Sequence, residues 1–469
     1  MRNRFEKFGL IGLGVAAGVA LGVHFSALAD KETATPLPVE EMRAFTEVFG
    51  KIKSDYVEPV SDKKLMTEAI NGMVSGLDPH SSYLDADAFK ELQVSTQGEF
   101  GGLGIEVGME DGLVKVVSPI EDTPASQAGI KSGDLIFKLD DTLVKGLTLN
   151  DAVKRMRGKP GSKIVLTVIR KGESKPLVMT LTRAVIKTQS VKSKLLDSGY
   201  GFVRVTQFQE HTGENLATAL TNLYKQNNGK LEGLVLDLRN DPGGLLTGAV
   251  AVSAAFLPAD TLVVYTEGRT EDAKMRLTTA PENYLRGDGS KGDYLKALPA
   301  AVKSVPMVVL VNGGSASASE IVAGALQDHK RAVIVGTQSF GKGSVQTILP
   351  LSPTTAIKLT TARYYTPGGR SIQAKGIVPD ILVEDPATAA QEAAFRLRES
   401  DLERHLSNDK QPEDSKADKP TAPAKDAKPG SEPTAKPEMA EFGSKNDYQL
   451  NQALNLLKGM RIMQGQGGK

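Results

Sequence analysis

Cysteine and tryptophan are both absent from the 469 residues, and there are only five histidines. Without cysteine the chain has no disulfide, no thiolate metal site and no cysteine nucleophile, and its redox compartment stays open. Any nucleophile is therefore an oxygen or an amine. So few histidines also leave little scope for a multi-histidine metal centre or a Ser-His-Asp triad. An excess of charge is missing too. The 57 Lys and Arg stand against 56 Asp and Glu, a net charge of +1, and no basic stripe is evident. That removes the electrostatic case for a nucleic-acid partner. What remains is ordinary globular composition, 40% hydrophobic and 24% charged. The length suits about three domains.

Arg2, Arg4 and Lys7 precede an apolar, Gly/Ala-rich run from Phe8 to Val23, and Ser26-Ala27-Leu28-Ala29 follows. This is the pattern of a secretory signal, residues 1–29, with an Ala27-x-Ala29 cleavage site. The alternative is an uncleaved anchor, for which the run is at the short edge of a bilayer span. Either way the protein is expected outside the cytoplasm, periplasmic or otherwise exported, and without residues 1–29 its net charge is −1.

Beyond the signal the chain divides by texture. Met42, Phe45, Val48, Phe49, Ile52 and Tyr56 recur at helical spacing, and a second helical stretch runs from Lys63 to Leu77. Residues 39–96 therefore read as a helical region. Residues 97–185 are β-rich, with turns at Asp111-Gly112, Gly133-Asp134 and Lys171-Gly172 and one helix at Asn150–Met156. Residues 186–400 alternate strands and helices, the signature of an α/β core. The expected class is thus α+β, with an α/β core, a β-rich insertion and an N-terminal helical region. Residues 407–440 hold six Pro, six Lys and no Leu, Ile, Val or aromatic residue. That is too little apolar surface to offset ordering, so they read as a flexible linker. In residues 441–463, Leu450, Ala453, Leu454, Leu457 and Met460 form one face of a last helix.

Three stretches carry possible chemistry. Gly336 to Lys342 has the glycine spacing and lysine of a phosphate-binding loop, but Gly343 stands where that loop needs Ser or Thr for Mg²⁺. Gly343 opposes nucleotide binding, which stays as a rival reading, and no cofactor or metal is expected. Gly314-Ser315-Ala316-Ser317-Ala318-Ser319-Glu320 follows an apolar strand and opens a helix. Ser317-x-x-Glu320 fits a capping box, and a serine beside unpaired helix amides also suits a nucleophile whose oxyanion needs stabilising; the two readings coexist. Its base would be Lys342, 25 residues on, if desolvation lowers the amine's pKa. Gln346 would orient that amine without adding charge. Asp237-Leu238-Arg239-Asn240-Asp241-Pro242-Gly243-Gly244 is a strand entering a glycine turn, whose amides could join that of Ala318 as oxyanion donors. It fits an ordinary strand–turn–helix link equally well.

Together these three motifs, in this order, resemble the carboxyl-terminal processing (tail-specific) serine peptidases. The resemblance spans about residues 40 to 385 and includes Gly76-Leu77-Asp78-Pro79-His80-Ser81 and Tyr364-Tyr365-Thr366-Pro367-Gly368-Gly369. It implies Ser317 as nucleophile, Lys342 as general base and Gln346 as its orienting partner. The oxyanion donors would be Ala318 and either Gly243 or Gly244. It further implies that 97–185 is a PDZ domain whose Gly102-Leu103-Gly104-Ile105 loop binds a terminal carboxylate, with Val153 beside an apolar side-chain pocket. His80 is expected to be structural. The implied partners are proteins with accessible apolar C-termini, and the family suggests a lipoprotein adaptor. A homo-oligomer built on the two terminal helices is also expected, since short helices need a docking surface. The other rival reading is a catalytically silent PDZ scaffold.

Overall fold

A computed structural model describes residues 38–120, 122–196, 199–285, 292–386, 397–410 and 442–466. The signal sequence and most of the linker lie outside these residues. Of the expected linker, residues 407–410 are described, and Asn408 there is buried and donates to Gln373 O at 2.8 Å.

The chain separates into two compact units, Met1–Ile70 and Asn71–Lys469. In the first, a helix at Val39–Asp55 buries none of its residues. A second helix, Asp62–Ser75, begins there, and Lys53 Nζ meets Asp62 Oδ1 at 2.6 Å.

The second unit is built on a six-stranded sheet in the order Val191–Leu196, Tyr200–Val205, Gly233–Asp237, Met307–Val311, Val333–Gly336, Ile381–Leu382. The first pair is antiparallel and the others are parallel. Alternation along its strands divides the core between two faces. Val203, Leu234, Leu236, Val309 and Ile334 pack with the helices Thr212–Gln226, Leu246–Phe256 and Ala318–Asp328. Phe202, Val235, Val308, Leu310 and Val335 pack with Leu450, Ala453 and Leu457 of the last helix, Tyr448–Gln466. A parallel sheet needs both faces covered. The apolar stripe of the last helix therefore docks on its own core, which removes this helix as a reason to expect assembly between copies.

A second sheet joins Ser82–Leu84, Ala356–Tyr365, Leu262–Gly268 and Arg276–Thr278, with Ser344–Pro350 also pairing on Ala356–Tyr365. The β-rich insertion has its own core around Val114, Ile136, Leu166 and Val168. Its sheet begins at the edge strand Ile105–Glu110, and its helix is Leu149–Met156. The Arg170 guanidinium grips Asp134 with two bonds of 2.7 Å, and that buried carboxyl is held below the usual range.

The two-faced core makes a direct prediction. Leu457 is fully buried and Met463 is exposed. Leu457→Ala should lower unfolding free energy by about 2–5 kcal/mol through lost burial and a cavity, whereas Met463→Ala should be neutral in the same denaturation series.

Candidate active site

Loops leave the C-terminal ends of adjacent parallel strands along one edge of the main sheet, the usual place for a site in such sheets. Leu238–Gly244 follows Gly233–Asp237, Asn312–Ser317 follows Met307–Val311, and Thr337–Gly343 follows Val333–Gly336. All three sequence motifs are brought together there.

Ser317 precedes the Ala318–Asp328 helix with φ 55° and ψ −113°. A positive φ on a residue with a Cβ costs of order 1–3 kcal/mol and persists only where neighbours enforce it. Here they do. Ala316 N–H donates to Asp241 O at 3.0 Å, Ser315 Oγ to Leu238 O at 2.7 Å and Ser319 Oγ to Asp241 O at 2.9 Å. Ser315 and Ser319 are thereby buried and committed, and Ser317 alone of the three keeps partial exposure.

Glu320 accepts from Ser317 N–H at 2.8 Å, the bond a capping box requires. It does more than cap. The same buried carboxylate accepts from Ser339 Oγ at 2.5 Å, Gly341 N–H at 2.7 Å and Lys342 N–H at 3.0 Å. One side chain therefore joins the Ser317 turn to the Lys342 loop. Burial pushes its pKa up to about 7, against the pull of these four bonds.

The glycines around Lys342 serve close packing of backbone. A Cβ on Gly343 would lie 2.4 Å from Gln373 N, and one on Gly341, at φ 100°, would lie 3.1 Å from the backbone of Ala374–Gly376. Lys342 is half-buried, and its pKa is lowered to about 8, chiefly by burial and then by the charge of Lys358. Glu399, Glu320 and Asp78 pull it the other way. Among the described residues Lys342 Nζ makes no hydrogen bond, either to Ser317 or to Gln346. The Gln346 amide instead donates to Ser344 Oγ at 3.0 Å and Thr360 Oγ1 at 3.2 Å.

Three groups around the amine escaped sequence reasoning as chemistry. The buried Tyr364 phenol donates to Lys342 O. Asp78 accepts from the amides of His80 and Ser81, both at 2.9 Å, and from Ser81 Oγ and Thr360 Oγ1 at 2.7 and 3.0 Å. Glu399, fully buried, meets His80 Nε2 at 2.8 Å and Gln373 Nε2 at 2.9 Å. The motif glycines and Asp-Pro-His-Ser run were visible in the sequence, but Glu399 stands in no motif.

Gly243 sits against the serine turn: its missing Cβ would fall 2.9 Å from Ser317 Cβ and 2.8 Å from Ala318 N. Its amide, however, donates to Asp241 Oδ1 at 2.8 Å. Asp241 is fully buried, its other oxygen lacks a partner among the described residues, and burial raises its pKa to about 8. Gly244 follows at φ 146°, tight against Phe208 O. Ala318 is the first helical residue, so its amide precedes the intrahelical ladder.

In the β-rich domain Gly102 is paired through Glu99–Gly102 with Ala184–Lys187, and Gly104 takes φ 77°. Leu103 is buried in the domain core, while Ile105 and Val153 are half-buried on its margin. Ala152 and Met156 also point into that core.

Residues 199–383 match the model of peptidase family S41, 101–181 that of the PDZ domain, and 22–88 that of the activating protease CtpB N-terminal domain. The chain is 44% identical over 447 residues to the carboxy-terminal-processing protease of Bartonella bacilliformis, covering 94% of each. It is 35% identical over 388 residues to the carboxy-terminal processing protease CtpB of Bacillus subtilis, covering 80% of this chain and 75% of that one. The solved photosystem II D1 C-terminal processing protease aligns at 30% identity and a TM-score of 0.41, covering 77% of this chain and 92% of that one.

The Glu320 bonds set a stability prediction. In Glu320→Gln an NH₂ replaces an oxygen that two donors now face. The variant should lose about 2–3 kcal/mol in chemical denaturation, the scale of buried charge-assisted bonds. The exposed Glu271→Gln should lose nothing measurable.

Proposed function

Since this chain belongs to the carboxy-terminal processing proteases of peptidase family S41, we propose that it hydrolyses peptide bonds with Ser317 as nucleophile and Lys342 as general base. The observation that carries this reading is the juxtaposition just described. A half-buried amine with its pKa lowered to about 8 belongs to a residue whose backbone N–H shares the Glu320 carboxylate with the N–H of Ser317, the one accessible serine of a strained helix-start turn. In the reaction Ser317 Oγ gives its proton to Lys342 Nζ and bonds the scissile carbonyl carbon. The oxyanion takes the Ala318 N–H and an amide of the glycine pair. Gly243 is occupied by Asp241 here, so either that bond opens or Gly244 serves. The lysine then protonates the departing amine, and water releases the acyl group by the same steps in reverse. Gln346 orients the amine from the strand that follows it.

Substrates are proteins with apolar, accessible C-termini. The terminal carboxylate meets the amides near Gly102–Gly104, and the tail adds as a strand along the edge Ile105–Glu110, its side chain near Val153. The protein works after export, periplasmic or membrane-anchored. With the last helix committed to its own sheet, Val39–Asp55 is the surface left for a second copy or a lipoprotein adaptor.

The unjoined Lys342 amine and the occupied Gly243 amide describe a resting arrangement, which also suits a catalytically silent PDZ scaffold. One experiment separates them. Ser317→Ala and Lys342→Arg should each abolish cleavage of an unstructured protein with an apolar C-terminus while the melting temperature stays near the parent's, because guanidinium cannot take the proton. No cleavage by the parent itself would favour the scaffold.

The lysine's pKa sets two pH outcomes. The reactive form is the neutral amine, so kcat should rise with pH and level off above about 8. Between that value and the unfolded value of about 10.4 the folded state binds fewer protons. Stability should therefore rise with pH across this window, and Lys342→Met should melt above the parent at pH 7 though inactive. A flat kcat between pH 6 and 9 would remove Lys342 as the base.

A further inference from the structure

The segment entering the last helix reaches the strand end that carries the glycine turn. Arg239 lies between two carboxylates. Its Nε and Nη2 donate to Asp237 Oδ1 and Oδ2 at 2.8 and 2.9 Å. Its Nη1 and Nη2 donate to Asp447 Oδ1 and Oδ2 at 3.0 and 2.7 Å, and Nη1 also donates to Gln449 Oε1 at 3.0 Å. These five bonds use all five guanidinium donors. The cluster is nearly dry: side-chain exposure is 12% for Arg239, 0% for Asp237 and 9% for Asp447. The arginine's charge holds the Asp447 carboxyl below the usual range.

Both sides of this cluster are rigid. On the tail side, Asp447 Oδ1 caps the last helix by accepting from Leu450 N–H at 3.0 Å, and Gln449 Nε2 donates to Val383 O at 2.8 Å. On the other side, Asn240 N–H donates to Asn312 Oδ1 at 2.9 Å, and Asp241 O accepts from Ala316 and Ser319. Two residues further on, Gly243 packs against Ser317. Arg239 is thus the point where an element distant in sequence grips the turn that meets the nucleophile.

We propose that Asp447, with Gln449, is a positioning residue for the oxyanion turn: docking of the last helix locks Arg239, and through it Asn240–Gly244, into register with Ser317 and Ala318. Asp237 alone can hold Arg239 by two donors, so the fold survives without the tail-side carboxylate. What is lost is the fixed placement of amides, and removing one oxyanion donor outright lowers kcat by about 10²–10³. A misplaced donor costs less than a missing one. The inference rests on the Ser317–Lys342 reading of the site.

The test uses the full chain with steady-state cleavage, melting temperature and binding of an apolar C-terminal peptide measured together. Asp447→Asn keeps shape and removes charge. It should lower kcat at least tenfold with KM and peptide affinity within twofold of the parent, and Gln449→Ala should lower kcat by a smaller factor. Asp447→Glu, which keeps the carboxylate, should recover part of the loss. Ile462→Ala, exposed on the same helix, should match the parent. A merely structural role would lower melting temperature and the folded fraction without changing kcat per folded enzyme. An unchanged kcat in Asp447→Asn, or an effect confined to KM, overturns the proposal. Should Asp447→Asn fail to fold, parental kcat in both Gln449→Ala and Asp447→Glu overturns it. Ser317→Ala run alongside separates the two readings: residual activity there rejects the site itself, whereas an inactive Ser317→Ala beside a fully active Asp447→Asn rejects only the positioning role.

Discussion

The Glu320 carboxylate is the interaction on which the rest of the site depends. It accepts from Ser317, Ser339, Gly341 and Lys342, filling the four lone-pair directions an ionised carboxyl offers. One direct backbone bond, Phe340 N–H to Ser315 O at 3.0 Å, also joins the serine and lysine loops, and Glu320 adds bonds to the Ser317, Gly341 and Lys342 amides. Burial makes such a group costly, and four donors in a dry environment offset only part of that cost, which leaves its pKa raised to about 7. The same bond to Ser317 N–H helps to hold the serine at a φ that its side chain disfavours.

The amine's environment follows from how its neighbours are already engaged. Three carboxylates, Glu399, Glu320 and Asp78, favour its charged form, yet burial and Lys358 outweigh them. The reason lies in their partners. Glu399 is bonded to His80 and Gln373, Glu320 to four donors, and Asp78 to the His80–Ser81 turn and Thr360. Their charge reaches Lys342 through space, but none forms with it the direct bond that would fix a proton on nitrogen. His80 bonds Glu399 through Nε2 rather than the serine.

A parallel sheet with catalytic loops at one edge must still cover two apolar faces. Three helices between strands cover one. The other is closed by Leu450, Ala453 and Leu457, which lie beyond the linker in sequence. Packing and electrostatics coincide there, because Asp447 at the start of that helix pairs with Arg239 at the end of a sheet strand. A structural cover thus touches the turn that borders Ser317.

Local signals account for what was legible in the sequence. The alternation of strand and helix runs over residues 186–400 pointed to the α/β core, in which Leu246–Phe256 is one of the helices. The Ser317 helix start and the glycines around Lys342 are short-range patterns, so their residues alone suggested capping, close packing and a nucleophile with a base. The amphipathic stripe of the last helix was equally visible, but not its docking surface, since an apolar stripe specifies burial and not a partner. Glu320 could be read as a cap because Ser317 is three residues away, whereas its bonds to Ser339, Gly341 and Lys342 required the next strand to return to the same edge. Glu399, Tyr364 and Asp447 belong to the same class. What the sequence by itself determined was therefore the class of the fold, with its peptidase core, PDZ domain and N-terminal helices, carried by periodicity and nearby motifs. Which carboxylate bonds which donor, and hence the amine's pKa and the hold on the glycine turn, was decided only by tertiary structure, because hydrogen bonds and burial depend on distances that chain order does not set.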